Sequence, residues 1–311
     1  MADGGRNNEV ETEDVDNRHT SDDNTPKTMN DIQEHRRRLL SDGCREFSHI
    51  VNRSTQAWYQ MFYDDQIDYV FCPVSKSSCT NLKRTLIMLT GKIAKFNRPE
   101  QLPISNFKSL RKYIKTLANV RPEYRNWRFK DSRYFTFFFV REPLERLVSA
   151  YRDKLVENPG YNNVDRRIVR QYRPREYNAS VKRYNVTFAE FVRYVLNQHG
   201  TGNVLDRHWI PQSEVCRVCQ YRWDFIGHHE TLVEEANYVV SKLKSRIVNA
   251  EQLRRVANIT FPADSGHRKS SDFLQQMYAS VPAADVQALY QLYAVDYALF
   301  GFKHPNVTGF S

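Results

Sequence analysis

No stretch of this 311-residue chain approaches the roughly 18–20 consecutive apolar residues that a membrane-crossing helix needs. The N-terminus also lacks the basic-then-apolar pattern of a secretory leader. Taken alone, these two absences point to the cytosol. The chain has no internal repeat and no nucleotide loop of the Gly-x4-Gly-Lys-Ser/Thr type. No acidic metal-holding motif follows a strand, which disfavours a nucleotide-dependent kinase, and no metal is expected. Histidine is missing between His49 and His199. A proton acceptor drawn from that stretch would therefore have to be a carboxylate.

What is present bounds the answer from the other side. With 41% hydrophobic and 13% aromatic residues the chain has material for a real core, in one large or two modest domains. Its net charge of +10 is unevenly spread. Residues 1–31 hold nine Asp or Glu against Arg6, Arg18 and Lys27, so they carry −6 and the remainder carries +16. The body of the protein should attract polyanions such as nucleic acid, sulfated glycan or nucleotide. Five Asn-x-Ser/Thr sequons, at Asn52, Asn178, Asn185, Asn258 and Asn306, argue for a secretory lumen against the cytosolic reading. The five cysteines are Cys44, Cys72, Cys79, Cys216 and Cys219, an odd count that leaves one free thiol or one intermolecular bond in an oxidising compartment.

Residues 1–30 are acidic and poor in large apolar side chains, which reads as a disordered tail; residues 31–311 read as one folded domain. A helix begins near Asp31 with Arg36, Arg37 and Arg38 on a solvated face. Asp68–Val74 reads as a buried strand, followed by a helix over Thr80–Thr90 with Leu82, Leu86 and Leu89 at helical spacing. A second helix is expected over Ser105–Ala118. Arg133–Val140 is a strand with Phe135, Phe137 and Phe139 on one side, and Pro143 suits the first turn of the helix after it. Residues 160–185 read as a basic loop, Phe188–Asn197 as a helix, and Trp223–Gly227 as a short strand that His228-His229 end. Helices near Glu230, Asp272–Ser280 and Ala283–Tyr293 complete the chain. Strands alternating with helices imply an α/β fold with a mainly parallel central sheet.

Two strand–turn–helix segments carry the chemistry. In the first, Lys76 with Ser77, Ser78, Cys79, Thr80 and Asn81 forms a turn of small side chains at a helix start. There backbone N–H groups can meet an oxyanion, and Lys76 adds a mobile charge. In the second, Arg141 leaves a buried strand before Glu142-Pro143, and Ser149 follows two turns along. A guanidinium fork with a hydroxyl is a clamp for a phosphate monoester. From the residues alone, the plainer reading comes first for each: a polar strand–helix turn for the first segment, and for the second an amphipathic helix with Glu145, Arg146 and Arg152 in surface ion pairs.

Together, Val74-Ser75-Lys76-Ser77-Ser78-Cys79-Thr80-Asn81-Leu82-Lys83-Arg84 and the segment Val140–Lys154 resemble the 5′-phosphosulfate and 3′-phosphate segments of the Golgi carbohydrate sulfotransferases. The resemblance is nearest to the subgroup of chondroitin/dermatan 4-O-sulfotransferases and the HNK-1 glucuronyl 3-O-sulfotransferase. It runs in order through Arg37-Arg38-Leu39 with Cys44, His208-Trp209, Cys216-x-x-Cys219, Trp223–Gly227 with Glu230-Thr231-Leu232, and Leu289-Tyr290 to Gly301. It thus covers about residues 35–303. Ser75 stands where the family has proline, Ser77-Ser78 replace Val-Gly/Ala, Leu82 replaces Trp, and Glu142 stands where Asp or His is common.

The resemblance implies a P-loop-like three-layer fold that binds 3′-phosphoadenosine 5′-phosphosulfate (PAPS). Lys76, Thr80 and neighbouring amides would hold the phosphosulfate, and Arg141 and Ser149 the 3′-phosphate. Arg268, before Ser270-Ser271, resembles a basic segment near the nucleotide. The acceptor would be a glycan, with GalNAc 4-O of chondroitin or dermatan the first choice and glucuronyl 3-O the second; no nucleic-acid partner is expected. His208 is the leading candidate for the base, against a structural histidine stacked beside Trp209. Cys216 and Cys219 are read as one disulfide, local or to Cys44, ahead of half a zinc site or a redox dithiol. The basic run Arg166 to Arg183 suits an anionic glycan, or is plain solvated surface. Relatives are Golgi-lumenal type II membrane proteins, so membrane association would need an anchor outside this sequence. A non-enzymatic polyanion binder, resting only on the body charge, is the reading from another class.

Overall fold

A computed structural model describes residues 28–48, 61–93, 95–96, 98–103, 113–262 and 271–303. Five strands and nine labelled helices, with a further seven-residue helix at Ala250–Val256, organise this part. The helices are α1 (Met29–Glu46), α2 (Cys79–Leu89), α3 (Pro143–Tyr151), α4 (Val164–Tyr172), α5 (Phe188–Gly200), α6 (Leu232–Lys244), α7 (Ser271–Tyr278), α8 (Ala283–Leu292) and α9 (Ala294–Phe300). The strands are β1 (Phe62–Asp64), β2 (Tyr69–Cys72), β3 (Lys115–Thr116), β4 (Phe135–Val140) and β5 (Phe225–His228). Shorter helical turns join them.

The sheet order is β3-β1-β2-β4-β5. Strands β2, β4 and β5 are parallel, whereas β1 is antiparallel to both β2 and β3. The sheet is therefore mixed, which corrects the expectation of a mainly parallel one. The cause is a tight reversal: the Asp64 carboxylate accepts from the amides of Gln66 and Ile67 at 2.7 and 3.1 Å, and Asp68 sits at φ 52°. An Asx turn followed by a left-handed residue folds β1 back on β2. The helix expected over Ser105–Ala118 is corrected at its C-terminal end. Residues 104–112 lie outside the described residues, Lys115–Thr116 is a strand, and Leu117–Asn119 is a 3-10 turn. Within 160–185, read as loop, Val164–Tyr172 is helical.

The alternating side chains of the strands feed two cores. Phe71, Phe135, Phe137 and Phe139 face α2 and α6, and Phe71 stacks on Phe137 at 5.0 Å between centroids. Val70, Cys72, Phe138, Val140 and Ile226 face Trp223, Leu299 and Phe300. Covered on both faces, β4 is buried at every position, which explains its unbroken apolar run. A third core lies between α3, α4, α5, α7, α8 and α9, with Val186, Leu205, Trp209 and Val281 added from the connecting segments. Gly227 is dictated by packing: a Cβ there would lie 2.3 Å from the Phe139 ring.

Helix α1 starts with a Thr28–Asp31 capping box. Its Gln33 pairs with both the N–H and the C=O of Ile226, at 2.8 and 3.2 Å, and so covers the open edge of β5. The arginines expected on a solvated face divide. Arg36 makes a bidentate pair with buried Glu235 at 2.8 and 2.9 Å, Arg37 reaches the Asp224 carbonyl, and only Arg38 keeps an exposed i,i+4 pair, with Glu34.

Disulfides join Cys44 to Cys219 and Cys72 to Cys216. The first is one of the two pairings expected. The second was not expected, because Cys72 ends a strand that gave no sign of a partner 144 residues away. Cys79 is the free thiol.

Candidate functional site

The three parallel strands end at Cys72, Val140 and His228, so the loops after them emerge along one edge of the sheet. In open α/β sheets that edge is where ligands bind. Both sequence-selected segments lie there.

The first loop is sharply bent. Lys76 and Ser78 occupy the left-handed region at φ 70° and 58°, a conformation costly for residues with a Cβ and concentrated at functional sites. Ser78 is the N-cap of α2 but makes no side-chain cap, and the first turn holds no acidic residue. The amides of Cys79, Thr80 and Asn81 thus begin a helix of eleven residues, where none has an intrahelical acceptor. Ser78 Oγ is buried without a hydrogen-bond partner. Thr80 is exposed and Cys79 half-buried, while the Asn81 amide oxygen is turned to Arg84 at 3.1 Å. Lys76 Nζ pairs with Asp153 Oδ2 at 3.0 Å, and Lys154 Nζ approaches the same oxygen at 3.1 Å. Burial lowers the Lys76 pKa while Asp153 opposes the shift. Burial acts to raise the Asp153 carboxyl, but the two lysines outweigh it and hold it below its usual value.

The second segment differs from its expected form. Glu142 caps α3, accepting from the amides of Leu144 and Glu145 at 3.1 and 2.6 Å. That helix start is therefore filled by its own carboxylate, and any anion must be met by Arg141. Its guanidinium contacts Glu145 at 3.2–3.3 Å, and its Nη1 is buried without a partner. Ser149 lies half-buried on the same face, since Glu145, Ser149 and Asp153 are spaced by four residues. One row of α3 and the π-helical turn Arg152–Glu157 that continues it thus runs from the Arg141 partner to the Lys76 partner. Burial pushes the Glu142 carboxyl up to about 7, opposed by the Tyr297 hydroxyl and the two amides that donate to it.

Two buried side chains that sequence reasoning did not select tie these loops together. Gln212 accepts from the Arg141 N–H at 2.9 Å and donates to the Arg141 carbonyl at 2.7 Å; Ser77 Oγ approaches its oxygen at 3.4 Å. Gln212 is itself fixed by Asp296, which accepts from the amides of residues 212 and 213 at 2.6 and 2.8 Å. Arg146, expected in a surface ion pair, is only 1% exposed. It donates to the carbonyls of Ser75, Ile210 and Arg207 at 2.9, 2.7 and 3.1 Å. One guanidinium therefore fixes the first loop, α3 and the segment that carries His208.

His208 is 6% exposed, with its ring edge-on to Tyr161 and tilted against Trp209. Its Nδ1 lies 2.6 Å from Asp206 Oδ1, and the Tyr161 hydroxyl donates to Asp206 Oδ2 at 3.0 Å. The pairing assigns the Nδ1 proton to the aspartate side and leaves Nε2 as the basic nitrogen. Burial lowers the His208 pKa, with Asp206 opposing, so the neutral ring is favoured. Lys154, which approaches Asp153, also lies 4.7 Å from the Tyr161 ring centroid. The histidine thus belongs to the same chain of contacts as Lys76. The Asp-x-His spacing at 206–208 was a readable sign of this pair.

Other expectations divide. His228 does end β5, and burial pulls its pKa to about 3. Arg268 lies outside the described residues. In the basic run, Arg166 and Arg173 hold the loop itself, through the Val181 carbonyl and through Glu176, Glu190 and the Asn185 carbonyl, while Arg167 and Arg170 are exposed. No group of His, Cys, Asp and Glu that could hold a metal occurs among the described residues.

Comparison with known proteins gives a consistent result. The profile of the Sulfotransferase family matches residues 59–303. Carbohydrate sulfotransferase 14 of Homo sapiens is 33% identical over 247 residues, covering 78% of this chain and 60% of that protein. Carbohydrate sulfotransferase 9 of Homo sapiens is 28% identical over 290 residues, 91% of this chain and 62% of that one. For carbohydrate sulfotransferase 11 of Mus musculus the values are 28% over 286 residues, 88% and 77%. The chain therefore spans about 60% of the length of the first two of these relatives. No solved structure matches it.

Proposed function

The chain belongs to the sulfotransferase family, and from that premise we propose that it transfers a sulfuryl group from PAPS to a glycan hydroxyl. The acceptor we favour is GalNAc O-4 of a chondroitin- or dermatan-type chain, with a glucuronyl 3-O acceptor second. The observation that carries the reading is the coupling of the two loops. Gln212 holds the Arg141 backbone and faces Ser77, while one helix row links the carboxylate on Arg141 to the carboxylate on Lys76.

The residues present fit a ligand with an anion at each end. Ser78 Oγ and Arg141 Nη1 are buried and unpartnered, and the α2 amides face out of a bend with no acidic side chain in the first turn. When bound, PAPS supplies the activated sulfuryl group. Lys76 would leave Asp153 for the phosphosulfate and steady the charge that grows on the departing phosphate. Thr80, Asn81 and the first α2 amides would complete that cradle. Arg141 and Ser149 would hold the 3′-phosphate, with Arg141 exchanging Glu145 for it. His208 Nε2 would take the proton of the acceptor hydroxyl, and Asp206 would hold the ring in the required tautomer. No metal is needed in this scheme, because fixed cations and amides meet the charge.

The family's lumenal setting also fits. There are two disulfides, and the described sequon residues Asn178, Asn185 and Asn258 are all exposed. No described helix is long and apolar enough to cross a membrane. We place the protein in the Golgi lumen.

Adenosine 3′,5′-bisphosphate tests the reading directly. It should raise Tm in proportion to RT ln(1 + [L]/Kd), about 2.7 kcal/mol at a hundredfold excess over Kd, and Lys76→Ala should abolish transfer of labelled sulfate. A Lys76→Ala protein with wild-type turnover removes Lys76 from the mechanism. Stabilisation that depends only on the chain length and salt of added polyanions would favour the non-enzymatic binder instead.

A further inference from the structure

A second ammonium group, that of Lys154, shares partners with both Lys76 and His208. Its Nζ lies 3.1 Å from Asp153 Oδ2, the same oxygen that Lys76 Nζ holds at 3.0 Å. It also stands 4.7 Å from the centre of the Tyr161 ring, and that ring meets His208 edge-on. Its charge reaches the histidine: burial lowers the His208 pKa, Asp206 opposes the shift, and the Lys154 and Arg207 charges add to it. An ordinary ion pair does not account for this placement. The Lys154 side chain is 17% exposed, so its charge is largely stripped of water and its stem of rotamers. Asp153 does not require it, because Lys76 holds Oδ2 and Asn158 Nδ2 donates to Oδ1 at 2.9 Å and to the Asp153 carbonyl at 2.8 Å. Two like charges at one oxygen also repel, and Lys154 works with burial to lower the Lys76 pKa. Asp153 and Lys154 both belong to the π-helical turn Arg152–Glu157, whose wider winding brings consecutive side chains nearer to a common side. Such turns are rare and collect at functional sites.

We propose that Lys154 is a second catalytic cation, whose ammonium donates to the outer oxygens of the sulfuryl group as it passes from donor to acceptor. The inference rests on the sulfuryl-transfer reading and deepens it by dividing the charge between two lysines. In the transfer, an acceptor oxygen bonds to sulfur as the bond from sulfur to the bridging phosphate oxygen breaks. That electron pair leaves with the phosphate, and the acceptor proton goes to His208. Negative charge therefore grows on the bridging oxygen, which Lys76 meets, and persists on the outer sulfuryl oxygens, which fall to Lys154. An ammonium has three N–H donors, so Lys154 can keep Asp153 and still donate to one of them. Asn158 anchors the carboxylate by its other oxygen, so Asp153 holds Lys154 in place when Lys76 turns to the donor. The oxygen that the two lysines share marks where an anionic oxygen is met from two sides.

The test compares Lys154→Met, which keeps the stem and removes the charge, with Lys154→Arg and with Lys76→Ala. Transfer is read with labelled PAPS and the better of a chondroitin and a glucuronyl-terminated acceptor. Adenosine 3′,5′-bisphosphate, which lacks the sulfuryl group, reads the donor site by its Tm gain. Lys154→Met should lower kcat about 10²–10³-fold, the loss expected for one preorganised donor to a developing charge, with the acceptor KM little changed. Lys154→Arg should recover part of that loss, since the charge survives in a different shape. The bisphosphate should raise Tm as much in both Lys154 variants as in the wild type. Lys76→Ala should lose much of that gain, because Lys76 alone of the two touches the phosphate. A Lys154→Met kcat within about threefold of wild type overturns the assignment. So does a bisphosphate Tm gain that falls together with kcat, the mark of a lysine that only shapes the donor loop. Either result leaves sulfuryl transfer standing. A wild-type protein that sulfates neither acceptor and gains no Tm from the bisphosphate overturns the functional reading and the second cation with it.

Discussion

Gln212→Leu is the most informative single change outside the proposed reacting groups. The substitution keeps the size of the side chain and removes every polar contact it makes. The Arg141 N–H and C=O, bonded at 2.9 and 2.7 Å, lose their partners in a fully buried position. Each stranded group costs about 1–3 kcal/mol, so the loss is roughly 2–6 kcal/mol; the 3.4 Å contact with Ser77 adds little. At ~2–4 °C per kcal/mol for a domain of this size, Tm should fall by roughly 4–24 °C. The larger effect should be on the donor. With the two loops no longer held together, the Tm gain from adenosine 3′,5′-bisphosphate should shrink along with the base value. Gln212→Glu separates the terms. Its carboxylate keeps an acceptor for the Arg141 N–H but loses the donor to the carbonyl, and its burial raises its folded-state pKa. Its stability deficit is therefore greatest above that pKa and shrinks as pH falls and the protonated acid regains a donor. Differential scanning fluorimetry at several pH values, with and without the bisphosphate, reads all of this. A Gln212→Leu protein with wild-type Tm and a wild-type ligand shift would refute the claim that this side chain couples the loops.

Three further changes probe other parts of the argument. His208→Ala should cut kcat about 10²–10⁴-fold with little effect on bisphosphate binding. In the wild-type protein, kcat/KM should rise with pH along an acid limb centred below the ordinary histidine value of about 6.5, because burial lowers this pKa. An acid limb centred above 7, or full activity without the imidazole, contradicts the base assignment. Glu142 has a folded pKa near 7, above its unfolded value, so it binds more protons folded than unfolded between about 4.5 and 7. Its contribution to stability is present at low pH and is lost as pH rises through that window; Glu142→Gln should flatten the fall of Tm from pH 5 to 7, and an unchanged slope would refute it. Paired Cys72→Ser and Cys216→Ser substitutions should cost roughly 2–5 kcal/mol, from a bridge that closes 144 residues, and an unchanged denaturant midpoint would show that the bridge does not form.

The local structure around the candidate groups was legible in the sequence. Phe135 to Val140 read as a strand because alternating aromatic residues leave few other options, and the structure puts those phenylalanines on one face of the sheet. The helices after Cys79 and Pro143 follow from apolar spacing and from proline at the first helical position. Lys76, Arg141 and His208 were singled out by the resemblance of their segments to the sulfotransferases, since the residues alone read as readily as ordinary polar turns and a structural histidine. The hairpin of β1 on β2 was missed because three residues in a strand carry almost no periodic signal.

Residue order thus set which segments became strands, turns and helices, because backbone conformation answers to neighbours within a few positions. It also set the cationic body and the identity of the groups available for chemistry. Only the assembled tertiary structure decided how those groups are used. Gln212 meets Arg141 across 71 residues, Arg146 reaches Ser75 across the same span, and Asp296 fixes Gln212 from 84 residues away. Such contacts leave no trace in local spacing, because each arises when separate segments are buried together and their polar atoms must find partners or forfeit their hydration.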